Sequence, residues 1–285
     1  MELIKRSGIF TKRSFSVINN NSLLKSGSII LILLLIIVAF APLFATHDPY
    51  QLGDDLLEAP GKDYWLGTDG LGRDIYSMII YGARTSLLIG LVSALISGVI
   101  GTLVGAVAGY FGGRTDRIIS EIINIFLMIP SFFLILIVVA LFGSNLLNVM
   151  IVIGLTSWPS NARLMRVQAI SLKKRVFIQS VDTIGETHLS ILFKYIIPNG
   201  IFPVIANTTL SVAGAILTEA GLSFLGLGDP NLISWGQMIY DGKAYMTSAW
   251  WISTFSGLAT VILVVSFYLI GDGLNTLLNP KRKGE

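Results

Sequence analysis

Six apolar stretches, each of bilayer-spanning length, constrain this chain more than any other feature. A spanning helix needs about 20 mostly apolar residues. Such runs extend from about Gly27 to Ala45, Ala83 to Tyr110, Ile118 to Phe142, Leu146 to Met165, Ile201 to Leu222 and Trp251 to Gly271. Only 13% of the 285 residues are charged, about half the share in a soluble domain. The composition excludes a soluble fold and predicts an all-α integral membrane protein with six transmembrane helices. Pro130 predicts a kink in the third run, and Trp158-Pro159-Ser160-Asn161 interrupts the fourth.

Charge sets the expected orientation. With the N-terminus inside, the inner segments hold sixteen lysines and arginines and the outer ones only Lys62, Arg73, Arg84 and Lys243. The positive-inside rule then places both termini in the cytoplasm. The N-terminal basic residues, apolar run and Ala39-Phe40-Ala41 resemble a cleavable leader, but the run is long for one, so a retained helix is expected. The organisation read from this is a tail at 1–26, the first helix and outer loop at 27–82, a core at 83–275 and a tail at 276–285. The outer loop at about 46–82 is acidic, and neither it nor the last one, at about 223–250, is long enough for a domain.

Several chemistries are excluded. No cysteine is present, so neither a thiolate nucleophile nor a disulfide framework is available. His47 and His188 fall on opposite sides of the expected membrane, which argues against a histidine metal site. No phosphate loop of the G-x-x-x-x-G-K-[ST] kind occurs, and Gly70-Leu71-Gly72-Arg73-Asp74-Ile75 departs from G-x-G-x-x-G at its last position. No nucleic-acid partner is indicated, and any ATP chemistry must come from another chain.

The stretch between the fourth and fifth runs is polar where its neighbours are not. Arg163 to Met165, then Arg166 and Lys173-Lys174-Arg175, lead into Val176-Phe177-Ile178-Gln179-Ser180-Val181-Asp182-Thr183-Ile184-Gly185. Val176, Phe177, Ile178, Val181 and Ile184 suggest one apolar helix face, and Gly185 can stop that helix at positive φ. Thr187 or Ser190 caps a second helix carrying Ile191, Leu192, Tyr195 and Ile196, and Pro198 leads into the fifth run. Two readings of this loop, 166–200, stay open on pattern alone: a helix seated in a partner's groove, or an ordinary interfacial amphipathic helix.

Other features carry weaker signals. Gly101, Gly105 and Gly109 form a doubled small-xxx-small spacing, read as helix packing. Glu219 lies near the outer end of the fifth run, where an intramembrane carboxylate is a candidate for a pathway or gating role. Asp272, in Gly271-Asp272-Gly273, reads as interfacial.

Three motifs resemble the permease subunits of ABC importers of the dipeptide, oligopeptide and nickel group. They are Trp65-Leu66-Gly67-Thr68-Asp69-Gly70-Leu71-Gly72-Arg73-Asp74, Tyr81-Gly82-Ala83-Arg84-Thr85-Ser86-Leu87, and Ile216 to Gly228 with Ser234-Trp235-Gly236. The first is similar to the C-type member of a permease pair. The resemblance implies a type I ABC importer permease fold and makes Gln179 to Pro198 a coupling loop of pattern E-A-A-x3-G-x9-I-x-L-P. This chain keeps Gly185 and Pro198 and departs at Gln179, Ser180, Val181, Tyr195 and Ile197. It further implies a second homologous permease, two cytoplasmic ATPases that use ATP and Mg, an extracellular solute-binding protein, and peptides as cargo, with nickel or a metal chelate as the alternative. A secondary transporter is a more distant alternative, because it would need charged relays in several spans.

Overall fold

The computed structural model describes residues 21–278. The expected tails, including Lys5, Arg6, Lys12, Arg13, Lys281, Arg282 and Lys283, lie outside or at the edge of that range. Helix α1 (Ser22–Ala39) is followed by a one-turn helix and the acidic loop. Then come α2 (Ile75–Phe111), α3 (Gly113–Met128), α4 (Ser131–Phe142) and α5 (Leu146–Lys173). After α6 (Val176–Thr183) and α7 (His188–Gly200), α8 (Phe202–Phe224), α9 (Trp235–Lys243) and α10 (Trp251–Leu278) complete the chain. No strand occurs among the described residues.

Helices α1, α2 and α10 are each long and apolar enough to cross a bilayer. Two bent helix pairs pass the same test of length and composition only when taken together: α3 and α4 meet at 82°, and α7 and α8 at 62°. The first break exceeds the expected kink. Ile129 is extended, as residues before proline tend to be, and Pro130 caps α4 without an amide of its own. The fourth run behaves oppositely. The expected interruption at Trp158 to Asn161 is absent, and α5 continues through Pro159 to Lys173. Neighbouring helices make such a proline tolerable.

At 37 residues, α2 is about 55 Å long and overshoots a hydrocarbon layer of about 30 Å. It is the spine of the bundle, packed most extensively along α5 and next against α8, which in turn packs on α10. Gly101, Gly105 and Gly109 lie directly against α5. A Cβ at Gly105 would collide with the Ala162 carbonyl, and one at Gly109 with the Arg166 carbonyl. Gly271 and Gly273 let α10 approach Leu210 of α8 and Leu24 of α1, while Asp272 is exposed. Gly27 of α1 sits against Ser266 and Leu269 of α10.

The two ends of the bundle differ in charge. The end carrying Asp74 and Asp241 is acidic, and the end carrying Arg166, Lys173, Lys174 and Lys194 is basic. His47 contacts Ser77 at the start of α2, and His188 contacts Tyr110 near its end. About 50 Å of helix separates them.

Candidate functional site

At the basic end, α6 and α7 form the helix-turn-helix expected from the sequence. Helix α6 ends in a Schellman turn: the Gly185 amide donates to the Asp182 carbonyl and the Glu186 amide to that of Val181. Gly185 has φ +89, and a Cβ there would meet nothing within 4 Å. Backbone conformation, not space, therefore requires glycine there. Thr187 caps α7 by accepting from the Ser190 amide at 3.3 Å. Glu186 accepts from the Ser190 hydroxyl and from Lys194 Nζ. Those two contacts hold its carboxyl below the ordinary glutamate range.

The loop is anchored on three helices. Ile178, Ile191, Leu192 and Ile196 are buried with Ala106 and Tyr110 of α2, Met165 and Ala169 of α5, and Val204 of α8. The Tyr110 hydroxyl and His188 Nδ1 are 3.0 Å apart, and Lys173 Nζ donates to the Tyr110 carbonyl at 2.7 Å. This corrects the expectation of a single apolar face on α6. Ile178 is fully buried and Val181 half-buried, whereas Val176, Phe177 and Ile184 are 77%, 44% and 85% exposed. An eight-residue helix has too little width to bury all five, so the apolar residues divide between the bundle and the outside. Gln179, Ser180, Asp182 and Pro198 are exposed as well.

A second set of contacts closes the acidic end. Asp69 accepts from the Leu71 and Arg73 amides and from Arg73 Nε, at 2.9, 2.9 and 2.7 Å. Asp74 caps α2, accepting from the Ser77 amide at 3.0 Å and from Thr46. This loop is tied to α10 by Trp251 Nε1, which donates to the Thr68 carbonyl, and to α9 by the Arg73–Asp241 ion pair. Burial raises the Asp241 carboxyl above the ordinary aspartate range, partly offset by Gln237 and Arg73.

Glu219 is buried and turned towards α9, where it accepts from Ser223 and Ser234 at 2.8 Å each. Trp235 is also buried, donating from its ring to the Ile79 carbonyl and from its amide to Ser86. Helix α9 falls within a segment read from the sequence as loop. Its signal was available: Ser234 is an N-cap, and Trp235, Met238 and Gly242 recur at helical spacing.

Sequence reasoning also missed a polar hub. Asn161 is fully buried, donates to Ser97 at 3.0 Å and accepts from Asn207 at 2.9 Å. Thr208 donates to the same oxygen. The residue read as an interruption therefore joins α2, α5 and α8.

These features define a polytopic helical membrane bundle with an anchored helix-turn-helix loop, exposed on its free side, at one end. Residues 101–284 match the family described as the binding-protein-dependent transport system inner membrane component, and the chain belongs to that family. It is 37% identical over 246 residues to the dipeptide transport system permease protein of Alkalihalophilus pseudofirmus, covering 86% of this chain and 81% of that protein. It is also 37% identical over 246 residues to the oligopeptide transport system permease protein of Bacillus subtilis, covering 85% and 80%. A chain of the MetNI methionine ABC transporter, solved in an inward facing crystal form, aligns at TM-score 0.55 and 23% identity over 71% of this chain and 96% of that one. That likeness establishes the type I ABC importer permease fold. The protein is a multi-pass inner-membrane permease component of an ABC importer.

Proposed function

We propose that this chain forms half of a peptide translocation pathway, paired with a second homologous permease and driven by two cytoplasmic ATPases. A binding protein delivers cargo at the acidic end. The dipeptide and oligopeptide permeases among its relatives support peptides over nickel or a metal chelate. The family's dependence on a binding protein speaks against a secondary transporter. ATP and Mg act on the ATPases, and this chain binds no cofactor. The charge distribution supports a cytoplasmic basic end with both termini inside.

One observation carries the reading. The α6–Gly185–α7 turn is fixed to α2, α5 and α8 through Ile178, Ile191, Leu192 and Ile196, while Val176, Phe177 and Ile184 stay uncovered. An element held rigidly on one side and apolar on the other suits transmission of force from a partner seated on it. Closure of the ATPases would shift the turn and, through its anchors, tilt the ends of the three helices. Gln179 stands where the family pattern has glutamate, so Asp182, one turn on, is the remaining acidic group on this helix. At the other end, Glu219 latches α8 to α9 through Ser234, steadied by Ser223 of its own helix, which suits a gating role without exposure to the pathway.

The test is uptake of a labelled tripeptide into vesicles holding this chain, the second permease and both ATPases. ATP- and binding-protein-dependent uptake is expected. Uptake by this chain without ATP or ATPases contradicts the proposal.

A further inference from the structure

A groove of about 560 Å³ opens between α5, α8 and the Pro130 break. Thr156, Ser157 and Ser160 of α5 face Asn207, Ser211 and Thr218 of α8 across it. Each set recurs at helical spacing, so two polar stripes share one cavity. No aspartate, glutamate, lysine or arginine lines the groove. The nearest carboxylate in sequence, that of Glu219, is held towards α9 by Ser223 and Ser234.

The hydrogen-bonding state of these side chains gives the groove a definite chemistry. Thr156, Ser157, Ser211 and Thr218 donate their protons one turn back along their own helices, to Val152, Ile153, Asn207 and Gly214, at 2.9, 2.7, 3.0 and 2.8 Å. Asn207 spends an amide proton on Asn161. What those four hydroxyls offer a visitor are oxygen lone pairs, which accept, while the hydroxyls of Ser131 and Ser160 and the second amide proton of Asn207 can donate. At the break, the Phe126 carbonyl would pair within a helix with the amide of residue 130, which is proline and has none. Phe126 lines the same groove. The surface is thus rich in neutral acceptors and free of fixed charge.

From this we infer that the groove is this subunit's contact surface for a peptide in transit, and that it engages backbone N–H groups while ignoring side-chain charge. The inference rests on the peptide-importer reading above. A backbone amide is the donor common to every peptide, and a lining that holds both neutral acceptors and neutral donors has no net charge with which to sort passing side chains by sign. A charged lining would instead select by sign, as charged rings do in channels.

Ser211→Asp and Ser211→Lys test this in the complete reconstituted importer. Uptake is measured for three peptides of equal length carrying neutral, acidic or basic side chains. Expressing each rate relative to wild type cancels any preference of the binding protein. Ser211→Asp is expected to depress the acidic peptide relative to the basic one by about tenfold, with Ser211→Lys reversing the order. Equal scaling of all three peptides in both variants overturns the inference. Should the Ser211 variants fail to assemble, Ser160→Asp and Ser160→Lys, at an exposed position, ask the same question with the same two outcomes. If wild type imports no peptide, the functional reading itself fails. If wild type imports and the ratios do not move, only the groove assignment fails.

Discussion

The hydroxyl of Tyr110 lies 3.0 Å from Nδ1 of His188, which joins the last turn of the longest helix to the first turn of α7. The contact belongs to a tight group, because Lys173 donates to the Tyr110 carbonyl and sits 5.3 Å from its ring centroid. The loop is therefore held by polar contacts as well as by the buried isoleucines. Tyr110→Phe keeps the packing and removes the hydroxyl, at a cost of about 1 kcal/mol. Faster tryptic cleavage at Lys173-Lys174-Arg175 is expected, and cleavage at the wild-type rate would show that the hydrogen bond does not hold the loop.

The glycine stripe gives a sharper contrast. Gly105→Ala places a methyl group against the Ala162 backbone carbonyl, whereas Gly214→Ala meets nothing within 4 Å. Overpacking of that kind costs about 1–3 kcal/mol, while alanine at an open helical site is neutral or mildly favourable. Thermal unfolding in detergent should fall for the first variant and hold for the second.

Asn161 presents a different kind of dependence. Asn161→Leu removes the partner of Ser97, Asn207 and Thr208. A buried polar group left unsatisfied costs about 1–3 kcal/mol. A large loss of stability is expected, exceeding that of Ser97→Ala, which removes only one of the three contacts.

Acid should act oppositely on the two ends of the molecule. Glu186 is held below its ordinary value of 4.5 by Ser190 and Lys194, so its contribution is present above 4.5 and lost as pH falls through the lowered folded-state value. Asp241 is raised above 3.8 by burial, so its contribution is greatest below 3.8 and is lost as pH rises through the raised value. Glu186→Gln should flatten the acid-side rise in tryptic cleavage of the loop. Asp241→Asn should flatten the pH dependence of protection at the α9 end. Unchanged pH profiles would refute both assignments.

How much of this was legible in the sequence depends on the range of the interaction that decides it. Gly185 and Thr187 were readable because a helix stop and a cap are local, and the structure gives both their expected conformations. The spans were readable for the same reason, since length and hydropathy are properties of single segments. The 82° break at Pro130 was not: proline removes a hydrogen bond, but the angle depends on the helices that pack around the gap. Pro159 makes the point in reverse, with the same residue type leaving α5 continuous. Trp235 and Asn161 were underread because their roles rest on partners far along the chain, Ile79 and Ser97. The split of apolar residues on α6 was likewise hidden, since periodicity marks a face without saying which part of it the bundle covers.

The central claim is that the α6–Gly185–α7 turn couples ATP hydrolysis to transport, and the most direct test is the number of ATP molecules hydrolysed per peptide imported. A β-branched residue at φ +89 carries strain of about 1–3 kcal/mol, enough to deform the turn while leaving its anchors on α2, α5 and α8. In assembled complexes carrying Gly185→Val, ATP consumed per peptide is expected to rise by about tenfold or more. The same ratio in wild type and Gly185→Val, with both complexes importing at the wild-type rate, would contradict the account.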